Sequence, residues 1–212
     1  MMDTLKNYFP EFSNEQVEKF DHAATLFKEW NQKINVISRK DIDNIELHHF
    51  IHSLSIYKAH AFEPGARCID LGTGGGFPGI PLAIALPQCS FVLVDSVQKK
   101  LTVAQAVVDA LQLKNVEILN SRIESLKLTA EYITGRAVEP LPDFYNRAKH
   151  LLIKKGKAEH GLYYLQGPDI AVAAFSGFRR QPRALGVKTW FNEPYFEEKW
   201  VWHVPLQNDL MP

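Results

Sequence analysis

Five glycines, Gly72, Gly74, Gly75, Gly76 and Gly79, crowd a stretch that leaves the apolar run Arg67-Cys68-Ile69-Asp70-Leu71. A Gly-x-Gly-x-Gly turn after a strand bends the backbone sharply beside a ligand, and a side chain at Gly72 or Gly74 would occupy the ligand's space. Asp95 closes the next apolar run, Phe91-Val92-Leu93-Val94. A carboxylate there accepts both hydroxyls of a ribose, or else caps the helix that follows it. Asp70, at the end of the first run, either braces the glycine loop or meets an ammonium group.

The spacing separates two kinds of nucleoside ligand. A dinucleotide fingerprint is Gly-x-Gly-x-x-Gly; counted from Gly72 its third glycine falls at position 77, which is Phe77. A pyrophosphate also wants free N–H groups at the start of the helix, where Pro78 and Pro81 remove two. A ligand without phosphates fits better. S-adenosylmethionine is one: it offers a carboxylate and ammonium, a sulfonium, a ribose and an adenine.

No other constellation competes. His48 and His52 have the i, i+4 spacing of metal ligands, but no third ligand is evident, so no metal is expected. Cys68 and Cys89 lie in or beside apolar segments without metal spacing and read as buried, reduced core residues. The net charge of zero hides an uneven distribution: −3 over residues 1–65, 0 over 66–135, +6 over 136–192 and −3 over 193–212. The basic segment is either a phosphate-binding face or an ordinary solvated surface.

The elements that must hold these residues follow from periodicity. Val17, Phe20, Ala24, Phe27 and Trp30 predict a helix over 14–37, capped by Ser13 or Asn14. Ile42, Ile45, Phe50, Leu54 and Tyr57 predict another over 41–57. Residues 1–62 are thus expected to be a helical extension, and residues 63–212 the ligand-binding domain. Strands are expected at 67–71, 91–94, 116–119, 132–134, 162–165, 187–191 and 199–204, the last stopped by Pro205. Helices are expected at 80–86 and 99–111. This alternation predicts an α/β fold, a doubly wound and mainly parallel sheet, with the ligand at the carboxyl ends of its first strands. At 212 residues the chain can bury a real core without disulfides or metals. No signal-like N-terminus and no membrane-length apolar run is present, so a cytoplasmic location is expected.

The stretch Asp70-Leu-Gly-Thr-Gly-Gly-Gly-Phe-Pro-Gly-Ile-Pro-Leu-Ala-Ile84 resembles the glucose-inhibited division protein B family, the RsmG-type methyltransferases. Trp30-Asn-Gln-Lys-Ile-Asn-Val-Ile-Ser38, His48-His-Phe-Ile-His-Ser-Leu54, Leu93-Val-Asp-Ser-Val-Gln-Lys-Lys100, Asn120-Ser-Arg-Ile-Glu124 and Thr134-Gly-Arg-Ala137 resemble further segments of that family. The resemblance implies a Rossmann-like class I methyltransferase fold. It implies methyl transfer from S-adenosylmethionine to N7 of a guanine in 16S ribosomal RNA, as naked RNA or in the small-subunit particle. It also implies cofactor contacts from Gly72, Phe77, Ile123, Glu124 and Arg136, beside Gly74 and Asp95 from the loop reading.

Guanine N7 carries a free lone pair, so no catalytic side chain is expected; the rate should come from positioning and electrostatics. Arg122, Arg136, Arg147, Lys149, Lys154, Lys155 and Lys157, with Arg179, Arg180 and Arg183 as a second cluster, are the candidates for RNA phosphates. Phe77 or Tyr145 would flank the base or pack in the core. The chain departs from the family at His52, where an Asp is usual, and at Gln166, where a Lys is common. Two other readings stay open: a methyltransferase for a non-RNA substrate, and a non-enzymatic RNA-binding module that keeps the fold.

Overall fold

The computed structural model describes residues 2–168 and 172–207; the end of the expected 63–212 unit lies outside the described residues. Seven strands form one sheet: β1 Arg67–Leu71, β2 Ser90–Asp95, β3 Val116–Asn120, β4 Tyr132–Arg136, β5 Gly161–Gln166, β6 Arg183–Gly186 and β7 Trp200–Pro205. The order is β3-β2-β1-β4-β5-β7-β6. The first five are parallel neighbours, and β7 runs antiparallel between β5 and β6. The expected mainly parallel sheet is therefore present.

Alternation along the strands divides the core in two. Cys68, Phe91 and Leu93 face one side; Ile69, Leu71, Val92 and Val94 face the other. The first face is covered by α2 Asn14–Asn31, α3 His52–Ala59, α4 Gly79–Ala85 and α5 Gln98–Ala110, with the short α1 Asp3–Tyr8 beyond them. The second is covered by α6 Leu141–Ala148 and the turn Val172–Phe175. The chain moves outward from β1 through β2 to β3, then returns to the other side of β1 as β4. That reversal opens a crevice at the carboxyl ends of β1 and β4.

Three expected elements differ. The helix predicted over 14–37 stops at Asn31. The buried Asn31 amide donates to the Ile37 carbonyl at 2.8 Å and accepts from the Val36 and Ile37 N–H groups at 2.9 Å, folding the next six residues into a loop. The helix predicted over 41–57 is three pieces: a 3₁₀ turn Ile42–Asn44, a π-helix Ile45–Ile51, and α3. A wider π turn leaves the apolar spacing close to helical, so periodicity does not reveal it. The strand predicted over 187–191 is a 3₁₀ turn, Val187–Thr189, following β6. Val187 and Phe191 are both fully buried and the Phe191 N–H bonds to the Val187 carbonyl, so their four-residue spacing was a turn and not an alternation. Pro205, expected to stop the last strand, is its final paired residue, opposite Gly161.

Candidate active site

The glycine loop is fastened from below. Asp70 is fully buried; its carboxylate accepts from the Gly79 N–H at 3.0 Å and from the Thr134 hydroxyl at 2.9 Å. Burial pushes its pKa up to about 6, against the pull of these hydrogen bonds. Of its two readings, the structure shows the brace. With Gly79 N–H given to Asp70 and Ile80 N–H to the Gly76 carbonyl, α4 has little left to offer a phosphate at its start. This supports the exclusion drawn from Pro78 and Pro81.

A cleft of about 460 Å³ opens beside the loop, lined by Gly72, Val94, Asp95, Ser96, Val97, Lys100, Ser121, Arg122, Ile123, Arg136, Ala137, Val138 and Arg147. Four of the expected cofactor residues, Gly72, Asp95, Ile123 and Arg136, thus meet in one place. Gly72 has φ +68°, and a methyl group on it would stand 2.7 Å from a Val138 methyl carbon. Gly74 is placed differently. It is not among the lining residues, and a methyl group there would meet nothing nearer than Lys100 Cδ at 4.0 Å. What it needs from glycine is its φ of +58°.

Asp95 receives the Gly74 N–H at 2.9 Å on one carboxylate oxygen and the Val97 N–H at 2.8 Å on the other. Each oxygen therefore keeps acceptor capacity for a ligand hydroxyl. Asp95 is not the cap of α5: that position is Val97, which makes no side-chain cap. Ile123 opens a 3₁₀ turn after β3 and is nearly buried. Glu124 is not among the lining residues; its carboxylate accepts from Arg147 Nε, of the lining, at 2.7 Å. Arg147 also donates to Glu139 at 2.9 Å, so this rim cation is already paired.

Phe77 lies in the core and not on the cleft. Its ring is 4.7 Å from Phe27, 5.2 Å from His49 and 6.1 Å from Phe50, centroid to centroid. Arg136 stands over it, guanidinium carbon 5.1 Å from the ring centre. Tyr145 is likewise buried against Phe175 and Phe178, which removes it as a base-flanking residue.

The candidate RNA cations divide by height on the sheet. Arg122, Arg136 and Arg147 rim the cleft. Lys154, Lys155 and Lys157 precede β5 and so lie near the amino ends of the parallel strands, where Lys157 pairs with Glu63. Arg183, beside His203 at 3.1 Å, and Arg180, donating to the Leu206 carbonyl at 3.2 Å, sit toward the same end. Sequence reading missed Lys100 as a cleft residue, although it opens the helix after the acid strand; it also missed Asp41.

Among the described residues no group of three or more His, Cys, Asp and Glu is arranged to hold a metal. Asp41 instead binds both His48 Nδ1 and His49 Nε2, the latter at 2.7 Å. His52 is buried against Tyr195 and Phe196, with burial and the Arg136 charge holding its pKa well below the ordinary value. The carboxylate near Arg136 on this side is therefore Asp41, not residue 52. Gln166 ends β5, and its side-chain oxygen is buried with no hydrogen-bond partner among the described residues. Cys68 and Cys89 are buried free thiols. Among the described residues no helix is long and apolar enough to cross a membrane.

These features define a Rossmann-like methyltransferase fold. A SAM dependent methyltransferase from Aquifex aeolicus superposes with a TM-score of 0.57 over 80% of this chain and 99% of its own, at 16% identity. TrmN from Thermus thermophilus gives 0.53 over 73% of this chain and 48% of its own, at 18% identity. The chain belongs to the rRNA small subunit methyltransferase G (GidB) family, whose model matches residues 16–162. The ribosomal RNA small subunit methyltransferase G of Flavobacterium johnsoniae is 44% identical, over 97% of this chain and 99% of its own length. That of Porphyromonas gingivalis is 43% identical, over 96% and 93%.

Proposed function

We propose that this protein transfers the methyl group of S-adenosylmethionine to N7 of a guanine in 16S ribosomal RNA, free or in the small subunit, in the cytoplasm. The observation that carries the cofactor assignment is the cleft itself, which has a ribose-competent acid on one side of the glycine loop, a cation on the other and no phosphate cradle. The order of strands orders the ligand. Ile123, after β3, sits where adenine would lie, Asp95 on β2 where the ribose would lie, and Arg136 on β4 where the methionine carboxylate would lie. Gly74, Phe77 and Glu124 support this site through the backbone or through neighbours.

S-adenosylmethionine supplies an electrophilic methyl group on a sulfonium. The protein's own residues orient it, exclude water and present the base; no side chain has to remove a proton from guanine N7. Lys100 and Arg122 line the cleft as cations that RNA phosphates would meet. The family membership supports the ribosomal substrate.

Mapping modified bases in 16S RNA, free and in small subunits, after incubation with protein and labelled S-adenosylmethionine tests the whole reading. One labelled guanine is expected. Label on no ribosomal RNA would overturn the substrate. Calorimetry without detectable S-adenosylmethionine binding, or with tight NAD binding, would overturn the cofactor.

A further inference from the structure

Arg136 reaches the cleft from the end of β4, but its guanidinium is held from behind by a different layer of the molecule. Nη2 lies 3.1 Å from His49 Nδ1, and Nη1 donates to the His48 carbonyl at 3.5 Å. Both partners sit on the π-helix Ile45–Ile51.

The chemistry fixes the protons. A guanidinium has donors only, so His49 Nδ1 must be the acceptor. The ring is then neutral and carries its proton on Nε2, which donates to Asp41 at 2.7 Å. Burial and the Arg136 charge agree with this, holding the His49 pKa down to about 4. The second Asp41 oxygen is occupied by His48 Nδ1. The result is a directed chain, Asp41 to His49 to Arg136, closed underneath by the Phe77 ring. It orients the guanidinium, and among the described residues no carboxylate forms an ion pair with it, so the charge stays available for a ligand.

We propose that Asp41 and His49 are positioning residues that aim Arg136 at the carboxylate of S-adenosylmethionine. This rests on the cofactor reading above. It assigns a task to the π-helix: its register brings the His48 carbonyl and the His49 ring to one guanidinium. A Phe at 49 removes both ring hydrogen bonds. A Gln at 49 keeps an N–H for Asp41 and a carbonyl oxygen for Arg136.

The test compares binding of S-adenosylmethionine and of its decarboxylated analogue, by calorimetry, in six proteins: the parent, Asp41→Asn, His49→Phe, His49→Gln, Arg136→Ala and the His49→Phe/Arg136→Ala double variant. The parent should prefer the carboxylated ligand by about tenfold or more, a single charge-assisted contact being of that order. In His49→Phe and Arg136→Ala the preference should collapse toward unity, through loss of affinity for the carboxylated ligand. Asp41→Asn should lose part of the preference, and His49→Gln should retain most of it. The His49→Phe/Arg136→Ala double variant should equal Arg136→Ala alone. Equal loss of both ligands in His49→Phe would show a structural role and overturn the proposal, as would a preference that survives that change. If His49→Phe does not fold, Asp41→Asn takes its place in the double-mutant cycle, where a preference as large as the parent's, or equal loss of both ligands, overturns the proposal. A parent that binds neither ligand would instead sink the cofactor reading.

Discussion

At Gly72 and Gly74 two glycines of one loop have different physical reasons to be glycine. Both have positive φ, which costs a residue with a Cβ about 1–2 kcal/mol. Only Gly72 lines the cleft and also crowds Val138. Gly72→Val should therefore weaken S-adenosylmethionine binding at least tenfold in a protein that still folds. Gly74→Ala should lower the melting temperature by about 2–6 °C and leave binding within a few-fold of the parent. Calorimetry and thermal melts on both variants check this; equal effects on binding would refute the distinction. Spacing alone could not separate the two positions, since the difference lies in what the chain brings opposite each. Phe77 shows the same limit. Its position in the motif was legible, but the direction of its ring depended on the space between Phe27, His49 and Arg136.

Among the elements, α2 and α4 are joined by one side chain. Ser13 and Gln16 form a reciprocal capping box at the start of α2. The same Gln16 amide donates to the Ile84 and Ala85 carbonyls at the end of α4, at 3.0 and 3.1 Å. Gln16→Ala removes the side-chain half of the box and both α4 bonds, leaving the residue-16 N–H on Ser13 Oγ, and should cost about 1–2 kcal/mol, or roughly 2–8 °C in melting temperature. Gln16→Glu keeps the cap, loses the α4 bonds and should fall between. Parent-like melts for Gln16→Ala would show that the link carries no stability. The cap itself could be read from Ser13 at the head of a helical pattern. The α4 link could not, because it spans 68 residues. Nor could the π-helix, whose register depends on packing around it and not on its own apolar period.

Over the molecule as a whole, buried titratable groups set opposing pH dependences. Asp70 has a folded pKa of about 6, above its unfolded value; the stability it contributes is full below pH 4 and lost as pH rises through 6. His49 and His203 have folded pKa values of about 4, below their unfolded value, because burial and a nearby arginine disfavour their charge. Their contributions are lost as pH falls from about 6.5 to 4, on the order of 3 kcal/mol for each group. His52, buried and held well below its ordinary value, acts in the same direction, so the histidines outweigh Asp70 and the melting temperature should fall from pH 7 to pH 4.5. His203→Phe should flatten that slope, and Asp70→Asn should steepen it. Melts at four pH values decide; an unchanged slope in His203→Phe would remove that histidine from the account. We further propose that residues 1–62 and 63–212 unfold together, since Phe20, Phe27 and Phe50 share one core with Phe77, Ile80 and Leu93. Two calorimetric transitions would disprove it.

The local chemistry of the chain was enough to establish the strand–glycine loop–helix unit, the acid on the second strand, the missing third glycine and the doubly wound plan. Each depends on neighbours within a few residues or on a short period, and both are written along the chain. The composition of the cleft was another matter. Lys100 and Arg122 became rim residues, Lys157 went to the far end of the sheet, and Asp41 and His49 came to stand behind Arg136. Those placements arise where β4 returns beside β1 and the N-terminal helices close over one face. Contacts between residues nearly a hundred positions apart depend on topology and side-chain packing, which no local pattern encodes.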